Sequence, residues 1–203
     1  MANFTRVGYG QVEPNQLSAQ KTGQIYASLP LDTNVKVLQN GEFMYYDYKT
    51  KTVTANATVG EPMLVFNEIK LYEPFWRTTY KDFAMIRVGD NYVTSALAAA
   101  RYDGGAESMP VNADPAHTEY GYRMDGIAPR LFKTNVGDIY TTNMVKVGVE
   151  YAVGDLLAPV VNAESHTMVL EKASEDATGM LWQVGQVYTM PDGQPGLKLQ
   201  RVQ

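Results

Sequence analysis

Cysteine is absent from the 203 residues, which excludes disulfides, thiol catalysis and thiolate-held metal in one step. Histidine is nearly absent: only His117 and His166 occur, with no second imidazole near either at metal-binding spacing. Charged residues make up only 19% of the chain, and no block of Lys and Arg gathers anywhere. A nucleic-acid binder needs such a block to meet the phosphate backbone, so nucleic acid is not an expected partner. Long apolar runs are missing as well. The nearly uncharged stretch Tyr92 to Ala100 falls far short of the ~20 residues a membrane helix requires. The opening Met1-Ala-Asn-Phe-Thr-Arg-Val7 holds no apolar stretch of signal-peptide length, so synthesis in a cytosol and a soluble product without a membrane partner are expected.

What is present points to strands. The chain is 45% hydrophobic with a net charge of −5, and its polar weight lies in Thr, Asn, Gln and Tyr rather than in Lys and Glu. Such residues suit pleated surfaces better than solvated helix faces. Residues 1–23 read as an extended N-terminal arm, punctuated by Gly8, Gly10, Pro14 and Gly23. Residues 24–129 read as a β-rich region. Its strands are expected at Ile25–Leu29, Val35–Leu38, Glu42–Tyr48, Val53–Ala55 and Met63–Tyr72, with a hairpin turn at Asn40-Gly41. Residues 93–101 carry the alanines and leucine of one short helix. A long loop over 102–129 follows, rich in Gly and Pro. From 130 to 203, short strands at near-regular spacing predict a small β-barrel or sandwich, with a turn at Pro191-Asp192-Gly193. The fold class expected is thus mainly β.

A faint repeat runs through these segments. Val88-Gly-Asp90, Val136-Gly-Asp138 and Val153-Gly-Asp155 each precede a strand-like run. Gly supplies a positive-φ turn and Asp caps backbone amides, so either recurrence of a good turn or a duplicated β unit explains the pattern.

No stretch carries a catalytic pattern. Asp114-Pro-Ala-His117-Thr-Glu119 lacks a partner histidine, and Ser165 beside His166 lacks nucleophile-elbow glycines. Gly104-Gly-Ala-Glu-Ser108 lacks the Lys and the helix of a phosphate loop. Scattered carboxylates make a two-acid hydrolase site an accident of folding rather than a readable motif. No catalytic, cofactor-binding or metal-binding residue is therefore assigned, no cofactor is expected, and the chain reads as non-enzymatic.

Tyrosine is the conspicuous residue, with 14 in the chain. Tyr45-Tyr46-Asp47-Tyr48 places aromatics on both faces of one strand, so if one face is core the other exposes at least one phenol. Tyrosine brings large contact area at low entropic cost. Three readings follow: ordinary strand tyrosines, a protein-contact surface, or a carbohydrate-stacking surface. The residues expected to touch a partner are Phe4, Val7, Tyr9 and Val12 on the arm, together with Tyr45, Tyr46, Tyr48 and Trp76.

The C-terminal third adds a resemblance. Val147-Gly148-Val-Glu-Tyr-Ala-Val-Gly154-Asp155-Leu-Leu-Ala-Pro159, closing through Gly185-Gln-Val-Tyr188 and Gly196-Leu-Lys-Leu-Gln-Arg-Val202, resembles the small β domains of tailed-bacteriophage capsid decoration (cement) proteins and related head-associated proteins. Phe132-Lys-Thr-Asn-Val-Gly-Asp-Ile-Tyr-Thr-Thr-Asn143 has the same flavour, and the likeness covers residues 130–203. It implies a virion structural protein at the capsid surface, partnered by a major capsid protein and forming a homo-oligomer. The alternative is a glycan- or surface-binding module of a phage tail or adhesin.

Overall fold

The structure, a computed structural model, describes residues 4–6, 10–57, 60–67, 84–88, 91–94, 128–174, 176–191 and 193–203, with backbone pairing alone at 84–88 and 91–94. It is mainly β. In chain order the elements are β1 (Val12–Gln16), α1 (Ser18–Thr22), β2 (Ile25–Tyr26), β3 (Val37–Gln39), β4 (Phe43–Asp47), β5 (Thr52–Thr54) and β6 (Met63–Val65). They continue as β7 (Ala84–Val88), β8 (Asn91–Thr94), β9 (Leu131–Phe132), β10 (Ile139–Thr142), β11 (Leu156–Asn162), β12 (Thr167–Lys172), β13 (Trp182–Thr189) and β14 (Pro195–Arg201).

Eleven strands form one antiparallel sheet in the order β1-β10-β14-β13-β11-β12-β4-β6-β9-β2, with β5 beside β4, and it curls into a half-barrel. Strands from both sides of residue 130 interleave in it, so the boundary expected there falls inside a continuous sheet. A smaller sheet, β3-β7-β8, holds the other three strands. The core joins the two halves of the chain: Trp182 packs edge-on against Tyr140 at 4.8 Å and tilted against Phe43 at 5.9 Å. All three are fully buried.

Three expectations need correction. Where it is described, the segment expected as an extended arm is paired within its own chain: Val12 and Glu13 pair with Thr142 and Thr141, and the Phe4 backbone bonds to Gly148 and Val149. Phe4 and Val12, expected to anchor on a neighbour, are 5% and 4% exposed within their own chain. Of the helix expected at 93–101, Val93 and Thr94 belong instead to strand β8, as the strand preference of β-branched residues allows, and residues 95–101 lie outside those described. Among the described residues the one helix is α1, a single turn closed by Gly23 in the left-handed conformation. Five residues are too few to display helical periodicity, so the polar stretch gave no signal.

Asn40-Gly41 is a turn, but not of a hairpin. β3 pairs with β7, whereas β4 pairs with β5, β6 and β12, so the two residues carry the chain from one sheet to the other. Pro191–Gly193 does close a hairpin, with the Gly193 amide donating to the Met190 carbonyl between β13 and β14.

The Val-Gly-Asp triplets separate into two kinds. Of the first triplet, Val88 pairs directly with Asn91, and Gly89 and Asp90 lie outside the described residues. The other two occupy equivalent places about a local two-fold centred on the Gln183–Gln200 pair. Ile139 pairs with Gln200 and Leu156 with Gln183, on opposite flanks of that pair. The Gly137 amide donates to the Arg201 carbonyl and the Arg201 amide to the Asp138 carbonyl, at 2.8 and 2.9 Å. Gly154, Val184 and Asp155 repeat the exchange at the same two distances. Each Asp carboxylate accepts the amide three residues before it, from Asn135 and from Ala152.

The strands on either side of residues 68–129, β6 and β9, are neighbours in the sheet. β6 pairs with β9, the Phe66 amide donates to the Arg130 carbonyl at 3.1 Å, and the Arg130 amide donates to Asn67 Oδ1 at 3.0 Å. A chain whose exits are already hydrogen-bonded neighbours can be shortened between them without moving either strand. Replacing residues 69–128 by a short glycine-rich turn is expected to leave a cooperatively unfolding β protein, less stable because β3 loses its partner. Circular dichroism and a urea melt would check this, and loss of cooperative unfolding would refute it.

A second expectation concerns the core. The hydroxyl of Tyr140 is buried without a hydrogen-bond partner among the described residues, and burial raises its pKa well above the ordinary phenol value. An unpaired buried hydroxyl costs about 1–3 kcal/mol. Tyr140→Phe is therefore expected to stabilise the fold by about 1 kcal/mol, seen as a higher urea midpoint. A loss of similar size would mean that the hydroxyl is bonded to internal water.

Candidate functional site

The exposed aromatic surface is built by β4 and its hairpin. Alternation along β4 sends Tyr45 to one face and Tyr46 to the other. Tyr45 and Tyr46 are both half-buried and pack against the core, and Tyr48, on the same side of the strand as Tyr46, is exposed. Their rings meet edge-on at 5.1 Å, and Tyr46 meets Tyr26 of β2 at 5.1 Å with a tilt of 52°. Tyr46 is fixed further by its hydroxyl, which bonds to Ser28 Oγ and accepts the Ser28 amide. Tyr48 completes the row at 68% exposure. Three rings in van der Waals contact thus run from the core rim to solvent.

The tip beyond them is held by its own hydrogen bonds. Asp47 Oδ1 accepts the Lys49 amide at 2.8 Å, and Oδ2 accepts the Thr50 hydroxyl at 3.0 Å. The Lys49 amide, ahead of Thr50, holds the Asp47 carboxyl below its ordinary range. On the far side of β5, Val53 exchanges backbone bonds with Pro30 and Asp32, so the hairpin is braced on its outer edge too. Lys49, Thr50 and Lys51 stand exposed.

Of the residues expected to touch a partner, Tyr46 and Tyr48 come together here, and Tyr45 lies half-buried against the core on the other side of the strand. Phe4 and Val12 are occupied internally, and Val7, Tyr9 and Trp76 lie outside the described residues. Tyr26 was not foreseen, because its contact with Tyr46 joins strands that are distant in sequence and not neighbours in the sheet. His166 occupies the β11–β12 turn with a left-handed φ of 55°, and His117 lies outside the described residues.

A carboxylate is buried inside the molecule, at Glu42. It is 1% exposed, Oε2 accepting the Gln39 amide at 2.8 Å and Oε1 the Thr167 hydroxyl at 2.9 Å. Burial pushes its pKa up from 4.5 to about 7, against the pull of those two donors and of the Arg6 charge. Nothing in the sequence marks this residue, since a Glu after a turn is most often solvated.

No family model matches the chain, and neither the curated proteins nor the solved structures provide a match.

Glu42 generates a pH prediction. Its folded pKa exceeds its unfolded value, so the folded state binds the proton more tightly. Its contribution to stability is then fully present below the unfolded pKa of 4.5 and is lost as pH rises through about 7. Urea midpoints of the native chain should fall between about pH 5 and about pH 9, while Glu42→Gln should show a flatter profile over the same range. Parallel profiles would remove Glu42 as the cause.

Proposed function

We propose that this chain is a non-enzymatic structural protein that docks on an assembled phage capsid and reinforces it, as a decoration or minor capsid protein. The observation that carries the reading is the row Tyr26–Tyr46–Tyr48, which ends in a ring two-thirds exposed on a rigid hairpin tip. A large exposed aromatic on a pre-ordered element is what a protein-contact surface requires, because little side-chain or loop entropy remains to be lost on docking. The resemblance of residues 130–203 to head-associated β domains supplies the partner: a major capsid protein, met on the outer surface of the virion. A binder that contacts only the assembled shell stabilises it by mass action. Repetition of shell subunits around symmetry axes favours an oligomeric binder.

The second reading is a glycan- or surface-binding module of a tail or adhesin. The ring planes weigh against it, since tilts of 52° and 74° leave single ring faces rather than one flat platform for a sugar.

Gradient sedimentation of a lysate from the source, with the chain quantified in each fraction by mass spectrometry, tests the reading. Co-migration with particles at a fixed ratio to a major shell protein is expected. Recovery only as a free species at the top of the gradient would overturn it.

A further inference from the structure

We propose that the β4–β5 tip, Tyr48 with Lys49 and Lys51, seats on an acidic protein surface of the shell. The inference rests on the capsid-docking reading and names the chemistry of its contact. Three observations carry it. The first is charge: the chain has a net charge of −5, yet its projecting tip presents two exposed ammonium groups, and neither is held in an ion pair among the described residues. An acidic partner repels most of this molecule and attracts the tip, which fixes the docking orientation.

The second is backbone strain. Lys51 adopts a φ of 58°, in the left-handed region where glycine or asparagine sits more cheaply. The turn alone would favour glycine. A lysine there exposes a charge at a conformational cost, and such costs concentrate at functional positions. The third is order: Asp47, Thr50 and Thr52 close the tip on itself through hydrogen bonds, leaving Tyr48 and the two lysines facing outward. The acidic side chain in this loop, Asp47, spends its hydrogen-bonding capacity on the Lys49 amide and the Thr50 hydroxyl and forms no ion pair with either lysine among the described residues, although it feels the Lys49 charge.

The test uses the full chain and three variants: Tyr48→Ala, Lys49→Glu and Lys51→Gly. Binding to particles purified from the source is followed by co-sedimentation at about 0.05 M and about 0.5 M salt. Tyr48→Ala and Lys49→Glu are expected to weaken binding by about tenfold, and the charge-reversed variant should lose the salt dependence of the native chain. Lys51→Gly is the discriminating variant, because it relieves the backbone while removing the charge. A higher thermal midpoint together with about threefold weaker binding is expected of it.

If the native chain sediments with particles and all three variants bind equally, the tip is not the contact, and the docking reading stands without it. If particles are not bound at all, the docking reading fails, and the tip is judged on immobilised poly-L-glutamate against heparin. Retention on poly-L-glutamate that Lys49→Glu abolishes supports the acidic-protein surface. Retention on heparin alone overturns it in favour of an anionic glycan, and retention on neither overturns it outright. Self-association abolished by the variants, with particle binding unchanged, would assign the tip to a second copy of this chain and overturn the proposal as well.

Discussion

The fold depends on a crowded polar crossing at Asn40-Gly41-Glu42, where segments from opposite ends of the chain meet at backbone distance. A Cβ on Gly41 would fall 2.6 Å from Met144 Cβ and 2.7 Å from the Thr142 hydroxyl, and one on Gly10 only 2.0 Å from the Asn40 carbonyl oxygen. Only glycine fits at either place, and at Gly41 a φ of 90° demands it again. At such close packing a buried polar group is best satisfied by a protein partner, and among the crossing's described side chains Asn67 Nδ2 is buried without one. Asn40 and Asn67 exchange bonds, Asn143 Oδ1 accepts the Gln11 amide, Thr142 Oγ donates to the Gln11 carbonyl, and Gln39 Oε1 accepts the Gly10 amide. Remove one partner and another is stranded in a dry interior, which costs more than the bond itself contributed. This is why the sheet cannot be divided at residue 130: the crossing stitches β1, β4, β6 and β10 into one cooperative unit.

Against that irregular crossing stands a regular element. The strands β10, β14, β13 and β11 are related in pairs by the local two-fold through Gln183 and Gln200, and the two Val-Gly-Asp turns are its corresponding corners. In each, glycine takes a left-handed φ of 96° or 95° and the carboxylate caps the amide three residues back. The valine that opens each turn is 67% exposed in both cases, so the correspondence extends to what the turns present to solvent. A recurrent turn would share the local capping but has no reason to share the cross-strand register. The correspondence therefore covers cross-strand register as well as the local turn. The two turns differ in what they hold: Asp155 takes the Lys172 ammonium, whereas Asp138 receives the amide and hydroxyl of Ser18 and so fastens α1.

Much of this was legible from residue order, and the exceptions share one cause. The C-terminal strands, the Pro191–Gly193 hairpin and the exposure of one phenol of the β4 run, that of Tyr48, followed from period-two patterning and turn chemistry, which are local. Asn40-Gly41 was correctly a positive-φ turn and incorrectly a hairpin, because the conformation is local while the choice of strand partner is made by Val65 and Ile86, far along the chain. The docking of Phe4, the contact of Tyr26 with Tyr46 and the burial of Glu42 are likewise decided by which distant segment arrives. Val93 and Thr94 show the converse: helix-favouring alanines follow them, but pairing with Ile86 and Met85 outweighs propensity.

The same physics separates the parts of the molecule that hold it together from the part available to a partner. At the crossing and at the buried Arg201, which bonds to Thr134, Glu61 and the Gln203 carbonyl, polar groups are consumed by the fold itself. Such groups specify one structure and leave little with which to recognise another molecule. The hairpin tip divides the labour differently. Its backbone and its carboxylate are satisfied within the loop, so the tip is stiff without a partner, while its phenol ring and ammonium groups are left to solvent. Rigidity obtained from internal hydrogen bonds and chemistry directed outward are the two requirements of a contact that must form without folding. Among the described residues, this tip combines both with an aromatic ring on a basic rim, and its exposed strain at Lys51 is tolerable because the crossing, not the tip, carries the stability of the sheet.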